Sequence, residues 1–184
     1  MSEVHSTNAG AHRRPDERTH GRTDVHDTIL ILDFGSQVTQ LIARRVREAN
    51  VYCEIRSFAS PLAELRAMRG LKGIILSGGP ASVYVPGAPQ VDPGLFKLGV
   101  PILGICYGMQ ATTQAHGGRV IQAADREFGR TELTVTVDDP LFAGLPRTQT
   151  VWMSHGDRIE SLPGAEIIAT SANCPLAAVR APAC

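Results

Sequence analysis

The sequence lacks an excess of charge of either sign: 18 Lys and Arg stand against 18 Asp and Glu in 184 residues. That balance argues against a nucleic-acid or anionic-membrane partner held by bulk charge. It also lacks any apolar run near the roughly 20 residues that span a bilayer, and its first residues are polar rather than an apolar secretory core, so neither a membrane span nor a signal peptide is expected. Aromatics are scarce, at 5%, so a core has to rest on Val, Ile, Leu and Ala. Cysteine is limited to Cys53, Cys106, Cys174 and Cys184. A chain of this length that alternates strands and helices has no need of a disulfide framework. A reducing cytoplasm is the expected compartment, where each Cys serves packing or chemistry. Residues 1–27 contain no Ile, Leu, Phe, Trp, Tyr or Cys. They cannot bury enough apolar surface to offset chain entropy, and they read as a disordered tail. His5, His12, His20 and His26 are spaced 7, 8 and 6 apart, so no two fall on one face at the i, i+4 spacing of a helical metal site, and none is expected there.

From Thr28 the texture changes. Residues 28–33 form a short continuous apolar run, as in a strand buried on both faces. Phe34-Gly-Ser36 turns the chain, with Ser36 as a helix N-cap. Val38, Leu41, Ile42, Val46 and Ala49 then fall on one helical stripe. Residues 51–55, 73–77 and 100–105 read as further strands. Ser60-Pro61 opens a short helix, and another runs from Tyr107 to about His116. Strand–helix alternation of this kind implies a parallel sheet with helices on both faces. After Gly117-Gly118 the segments are strand-like: 131–137, 150–154, 166–170 and 176–179. The expected class is α/β: a mostly parallel, flavodoxin-like central sheet with extra antiparallel strands in the C-terminal third.

The strongest chemical signal is Gly104-Ile-Cys-Tyr-Gly108, where an apolar strand gives way to a helix. This is the spacing of a nucleophile elbow with Cys at its centre. A sharp strand-to-helix turn exposes the central side chain, and flanking glycines relieve crowding. Cys106 would then sit at a helix N-terminus, which favours thiolate. The backbone N–H of Tyr107 would face the same space as an oxyanion donor. A buried Cys in a Gly-rich turn fits the same pattern. Ser77-Gly-Gly-Pro80 ends the preceding strand on the same rim, where loops of parallel sheets converge on ligands. It offers bare backbone N–H groups, and no Gly-Lys-Ser/Thr follows to make it a phosphate loop. Asp33 to Gln37 opens on that rim too. Gln110, one turn into the elbow helix, either reaches over the pocket or faces solvent. Trp152-Met-Ser-His-Gly-Asp157 combines the single Trp with Ser, His, Gly and Asp. A Cys nucleophile needs a base. His116 lies about 15 Å along the helix from Cys106 and is expected on the surface. His155 is open between base, substrate binder and loop residue. Cys53 and Cys174 read as structural.

These residues together resemble the class I (triad) glutamine amidotransferases. Gly104 to Gln110, Ile75 to Pro80, Leu32 to Gln37 and Trp152 to Asp157 all match. The Asp-Phe-Gly-Ser-Gln opening, the Tyr after the Cys and the Trp-Met-Ser-His-Gly-Asp stretch favour the glutaminase domain of the GMP-synthase type over the anthranilate and carbamoyl-phosphate relatives. The resemblance implies that Cys106 attacks the glutamine side-chain amide to give a thioester and ammonia. It implies that the backbone N–H groups of Gly79 and Tyr107 hold the oxyanion. Gln110 and the Ser154-His155-Gly156 backbone would bind the amino-acid end of glutamine, with Asp157 nearby. It implies no cofactor in this domain. ATP and Mg²⁺ would belong to a partner ATP-pyrophosphatase synthetase domain, which aminates XMP to GMP.

The resemblance also carries a His-x-Glu pair that completes the triad, and no such pair occurs in this sequence. Residues 28–184 are accordingly expected to form a glutaminase domain incomplete at its C-terminus, with a bare sheet edge beside Leu176 and poor activity alone. The missing parts could arrive on a second chain, and a family-like homodimer would need them. Glutamine-dependent relatives of other pathways and a non-catalytic remnant are the competing expectations.

Overall fold

A computed structural model of the chain describes residues 25–182, without the side chains of Ala124, Asp125, Arg126, Glu127 and His155. His5, His12 and His20 lie outside the described residues. Val25–Asp27, which the sequence reading assigns to the tail, run beside the turn before the third strand. There Thr28 donates its backbone N–H to Gly70 O at 2.7 Å, and Asp27 faces Lys72 at 3.4 Å.

The first half is an α/β layer. β1 (Thr28–Asp33), β2 (Tyr52–Ser57), β3 (Leu71–Leu76) and β4 (Ile102–Gly104) form a parallel sheet in the order β2-β1-β3-β4. β1 reads as a continuous apolar run, Ile29 to Leu32, because both of its faces are covered. Ile31 and Cys53 turn to one face, where α1 (Val38–Glu48) supplies Ala43, Ile42 and Val46. Leu30, Leu32, Ile74 and Leu76 turn to the other. They meet Leu65 of α2 (Leu62–Arg66) and Tyr107 and Ala111 of α3 (Tyr107–Ala115). α1 begins one residue later than the Ser36 cap predicts, with Gln37 at the boundary. Ser36 still serves the helix end, its Oγ accepting the Val38 N–H at 3.2 Å.

The second half is an antiparallel sheet ordered β6-β5-β7-β8. β5 (Arg119–Val135) and β6 (Thr148–Ser161) form a long hairpin; β7 (Glu166–Thr170) and β8 (Ala178–Arg180) complete the sheet. Both long strands extend well past the expected 131–137 and 150–154. Their polar, glycine-containing inner halves carry little strand propensity, and cross-strand pairing decides their conformation instead. The ladder is interrupted where Gln122 pairs with Asp157 but Glu127 pairs with His155. Val120, Ile159 and Leu162 carry this sheet into the main core.

Two open features border the layers. β4 is an edge strand, and a groove of about 800 Å³ lies between it and β8, walled by Ile75, Leu103, Met109, Leu162, Val179 and Ala181. Among the described residues, no helix is long and apolar enough to cross a membrane.

Candidate active site

The site starts from the junction of β4 and α3. Cys106 occupies the position before the helix with φ 52° and ψ −113°, a left-handed conformation that L-residues rarely adopt and that costs about 1–3 kcal/mol. The surrounding glycines show why it persists. A Cβ on Gly104 would lie 2.7 Å from the Gly108 carbonyl carbon and from Met109 Cα. A Cβ on Gly108 would overlap the Leu76 carbonyl oxygen. Instead, Gly108 donates its N–H to Ser77 O at 3.0 Å, and Ile105 donates to Leu76 O at 2.9 Å. Backbone thus packs on backbone on both sides of the bend, and the Cys106 side chain is left exposed.

The Ser-Gly-Gly-Pro loop lies beside it. A Cβ built on Gly78 would come 3.7 Å from Cys106 Cβ and 3.3 Å from Ser36 Oγ. One built on Gly79 would meet the Phe34 carbonyl oxygen at 2.9 Å and Tyr107 Cγ at 3.2 Å. Ser77 is fully buried, accepts the Phe34 N–H at 3.1 Å and donates to Gly78 O at 2.9 Å. Asp33 Oδ1 accepts from Gly35 N at 2.9 Å and from Thr39 Oγ1 at 2.7 Å, which orders the turn after β1. The ends of β1, β3 and β4 therefore converge on one rim. The N–H groups of Gly79 and Tyr107 have no protein acceptor among the described residues.

A cleft of about 220 Å³ opens at Cys106, bordered by Gln110, Met153, Asp157, Arg158 and Cys174. It is smaller than the roughly 300–1,000 Å³ of drug-sized ligand sites and suits an amino acid. Gln110 is buried here, not turned to solvent, and its amide makes no hydrogen bond among the described residues. Trp152 to Asp157 falls within β6, not at a strand end. Its alternation sends Met153 and Asp157 to the cleft, while Trp152 and Ser154 are exposed. Gly156 lies at the ladder interruption, and the side chain of His155 lies outside the described residues. Asp157 takes Ser82 Oγ at 2.5 Å and Tyr84 OH at 2.7 Å. Sequence reasoning missed Ser82, Tyr84 and Arg158; the only signal was two hydroxyls alternating with Ala81, Val83 and Val85 after Pro80.

The expected thiolate does not follow from this geometry. The cleft walls thin the water around the sulfur, and this desolvation pushes the Cys106 thiol pKa up. No described imidazole lines the cleft. His116, expected on the surface, is half-buried at the end of α3, its ring edge-on to Phe96 at 4.7 Å. Cys53 and Cys174 are buried, and Cys174 packs as part of the cleft wall.

Comparison with known proteins gives a consistent picture. A family model described as glutamine amidotransferase class-I matches residues 30–183. A GMP synthase [glutamine-hydrolyzing] of Desulfotalea psychrophila is 56% identical over 161 residues, covering 85% of this chain and 31% of its own. That of Caldanaerobacter subterraneus is 54% identical over 154 residues, 83% and 30% respectively. The chain thus spans about 30% of the length of the curated relatives it matches. A crystal structure of a Thermoplasma acidophilum protein, described as one of the subunits of a GMP synthase, superposes with a TM-score of 0.74 at 33% identity, over 85% of this chain and 78% of that one.

Proposed function

The chain belongs to the class-I glutamine amidotransferases, and from that premise we propose that residues 28–184 form a glutaminase unit supplying ammonia to an ATP-dependent synthetase of the GMP-synthase type. Cys106 Sγ attacks the side-chain amide carbon of glutamine. The oxyanion is held by the Gly79 and Tyr107 N–H groups, whose fixed orientation needs no reorganisation during the step. Collapse expels ammonia as the leaving nitrogen gains a proton, and water cleaves the γ-glutamyl thioester to glutamate. Gln110, Asp157 and the Ser154-His155-Gly156 backbone bind the amino-acid end. ATP, Mg²⁺ and XMP belong to the synthetase partner. The observation that carries the reading is the exposed Cys106 at φ 52°, flanked by two unsubstitutable glycines and facing Gly78.

The proton acceptor is the open position in this scheme. The sequence contains no His-x-Glu pair, and the thiol pKa is raised. Missing general acid–base help costs roughly 10²–10⁴-fold, so slow turnover by the chain alone is expected. The test uses glutamine carrying ¹⁵N in its amide, this chain, and a separately prepared GMP-synthase synthetase domain with ATP, Mg²⁺ and XMP. Label should enter GMP with the parent chain and vanish with Cys106→Ala. Label transfer that survives Cys106→Ala would overturn the assignment. Transfer only to an anthranilate or carbamoyl-phosphate synthetase would move the chain to another branch of the family.

A further inference from the structure

Asp157 is clasped by a segment that lies far from it in sequence and that the scheme above does not use. The chain between Ser77 and Asp92 leaves the end of β3 and crosses to β6. Ser82 Oγ donates to Asp157 Oδ2 at 2.5 Å and Tyr84 OH donates to Oδ1 at 2.7 Å. Between them Val83 is buried in the main core. Further on, Tyr107 OH donates to Pro89 O at 2.6 Å, tying the segment to the residue after the nucleophile. The segment is thus pinned to β6 at one point and to the elbow helix at another.

Both donors on Asp157 are neutral hydroxyls. Each carboxylate oxygen has one hydroxyl and keeps further acceptor capacity. No Lys, Arg or His ion-pairs with Asp157 among the described residues, and Arg158, its neighbour in the strand, also borders the cleft without such a pair. A half-buried carboxylate oriented by two hydroxyls, with no counter-charge among the described residues, suits a cation brought by the ligand. We infer that Ser82 and Tyr84 are positioning residues that hold the Asp157 carboxylate to receive the α-ammonium of the amino acid, so that this clasp selects a free amino acid over an otherwise identical amide. The inference rests on the reading of the cleft as a glutamine site.

The test uses the full chain and two electrophiles. One is a chloroketone isostere of glutamine; the other is the same molecule with hydrogen in place of the α-amino group. Each alkylates Cys106 by displacement of chloride, giving a thioether, so no general base is needed at alkaline pH. Rates are read by intact mass and divided by the iodoacetamide rate of the same variant, which corrects for changes in thiol reactivity or access. The parent should favour the amino reagent by about tenfold or more, a difference of about 1.4 kcal/mol. Ser82→Ala and Tyr84→Phe should each lower that preference, their combination should abolish it, and Ser82→Thr should restore it. A preference that survives in the double variant would overturn the clasp and leave the glutamine site standing. Absence of preference in the parent would overturn the ammonium site and the clasp with it.

Discussion

At the scale of single residues, the site turns on a contrast at Cys106. The backbone presents the sulfur outward in a strained conformation, while the cleft around it disfavours the charge that the sulfur needs. The helix N-terminus contributes a stabilising field of only about 0.3–1 kcal/mol in exposed settings, too little to offset desolvation without a cation. The raised pKa keeps the neutral thiol to higher pH, so the thiolate fraction at pH 7 lies below that of a free cysteine. Alkylation of Cys106 by iodoacetamide should therefore rise with pH through a midpoint above the ordinary thiol value. A stopped-flow pH profile with a midpoint below that value would show that a hidden cation or base is at work. Cys106 and its glycines were legible because sterics fix their spacing. Ser82 and Tyr84 were not, because they lie 75 and 73 positions from Asp157 and meet it only once the chain has folded.

At the scale of elements, α3 packs on the ends of β3 and β4 so closely that no side-chain carbon fits between them. Gly108→Ala would bring its Cβ to 2.6 Å from the Leu76 carbonyl carbon, against backbone that cannot step aside. Overpacking of this kind costs about 1–3 kcal/mol, at about 2–4 °C of melting temperature per kcal/mol in a domain of this size. Gly87→Ala offers the comparison: φ is +80° with nothing within 4 Å, so only the conformational penalty applies, about 1–2 kcal/mol. Calorimetry should rank Gly108→Ala as the larger loss, with iodoacetamide access to Cys106 altered in that variant alone. The parallel half was readable because strands covered on both faces give short continuous apolar runs, as in 29–32 and 73–76. The hairpin was not, because its inner halves mix Gly, Ser, Asp and Arg and gain their strand conformation only from each other. Trp152 to Asp157 was conspicuous in composition, but nothing in it told mid-strand from strand end.

At the scale of the whole molecule, two sheets of opposite style meet along one core, and the parallel one ends in an unpaired edge. Leu103 of β4 is 37% exposed there, beside the groove that runs to β8. Unpaired strand edges with apolar flanks template association. The isolated chain should self-associate as concentration rises, and Leu103→Lys should shift it toward monomer in light scattering coupled to gel filtration. An unchanged mass would place any association elsewhere.

The cleft takes the sulfur from one sheet and the carboxylate from the other. A molecule that grips both acts as a rivet between the layers. Whatever the amide chemistry achieves, the supply of that small molecule then also sets how much heat the two layers withstand before they part, because a ligand held only by the assembled pair weights the equilibrium toward it.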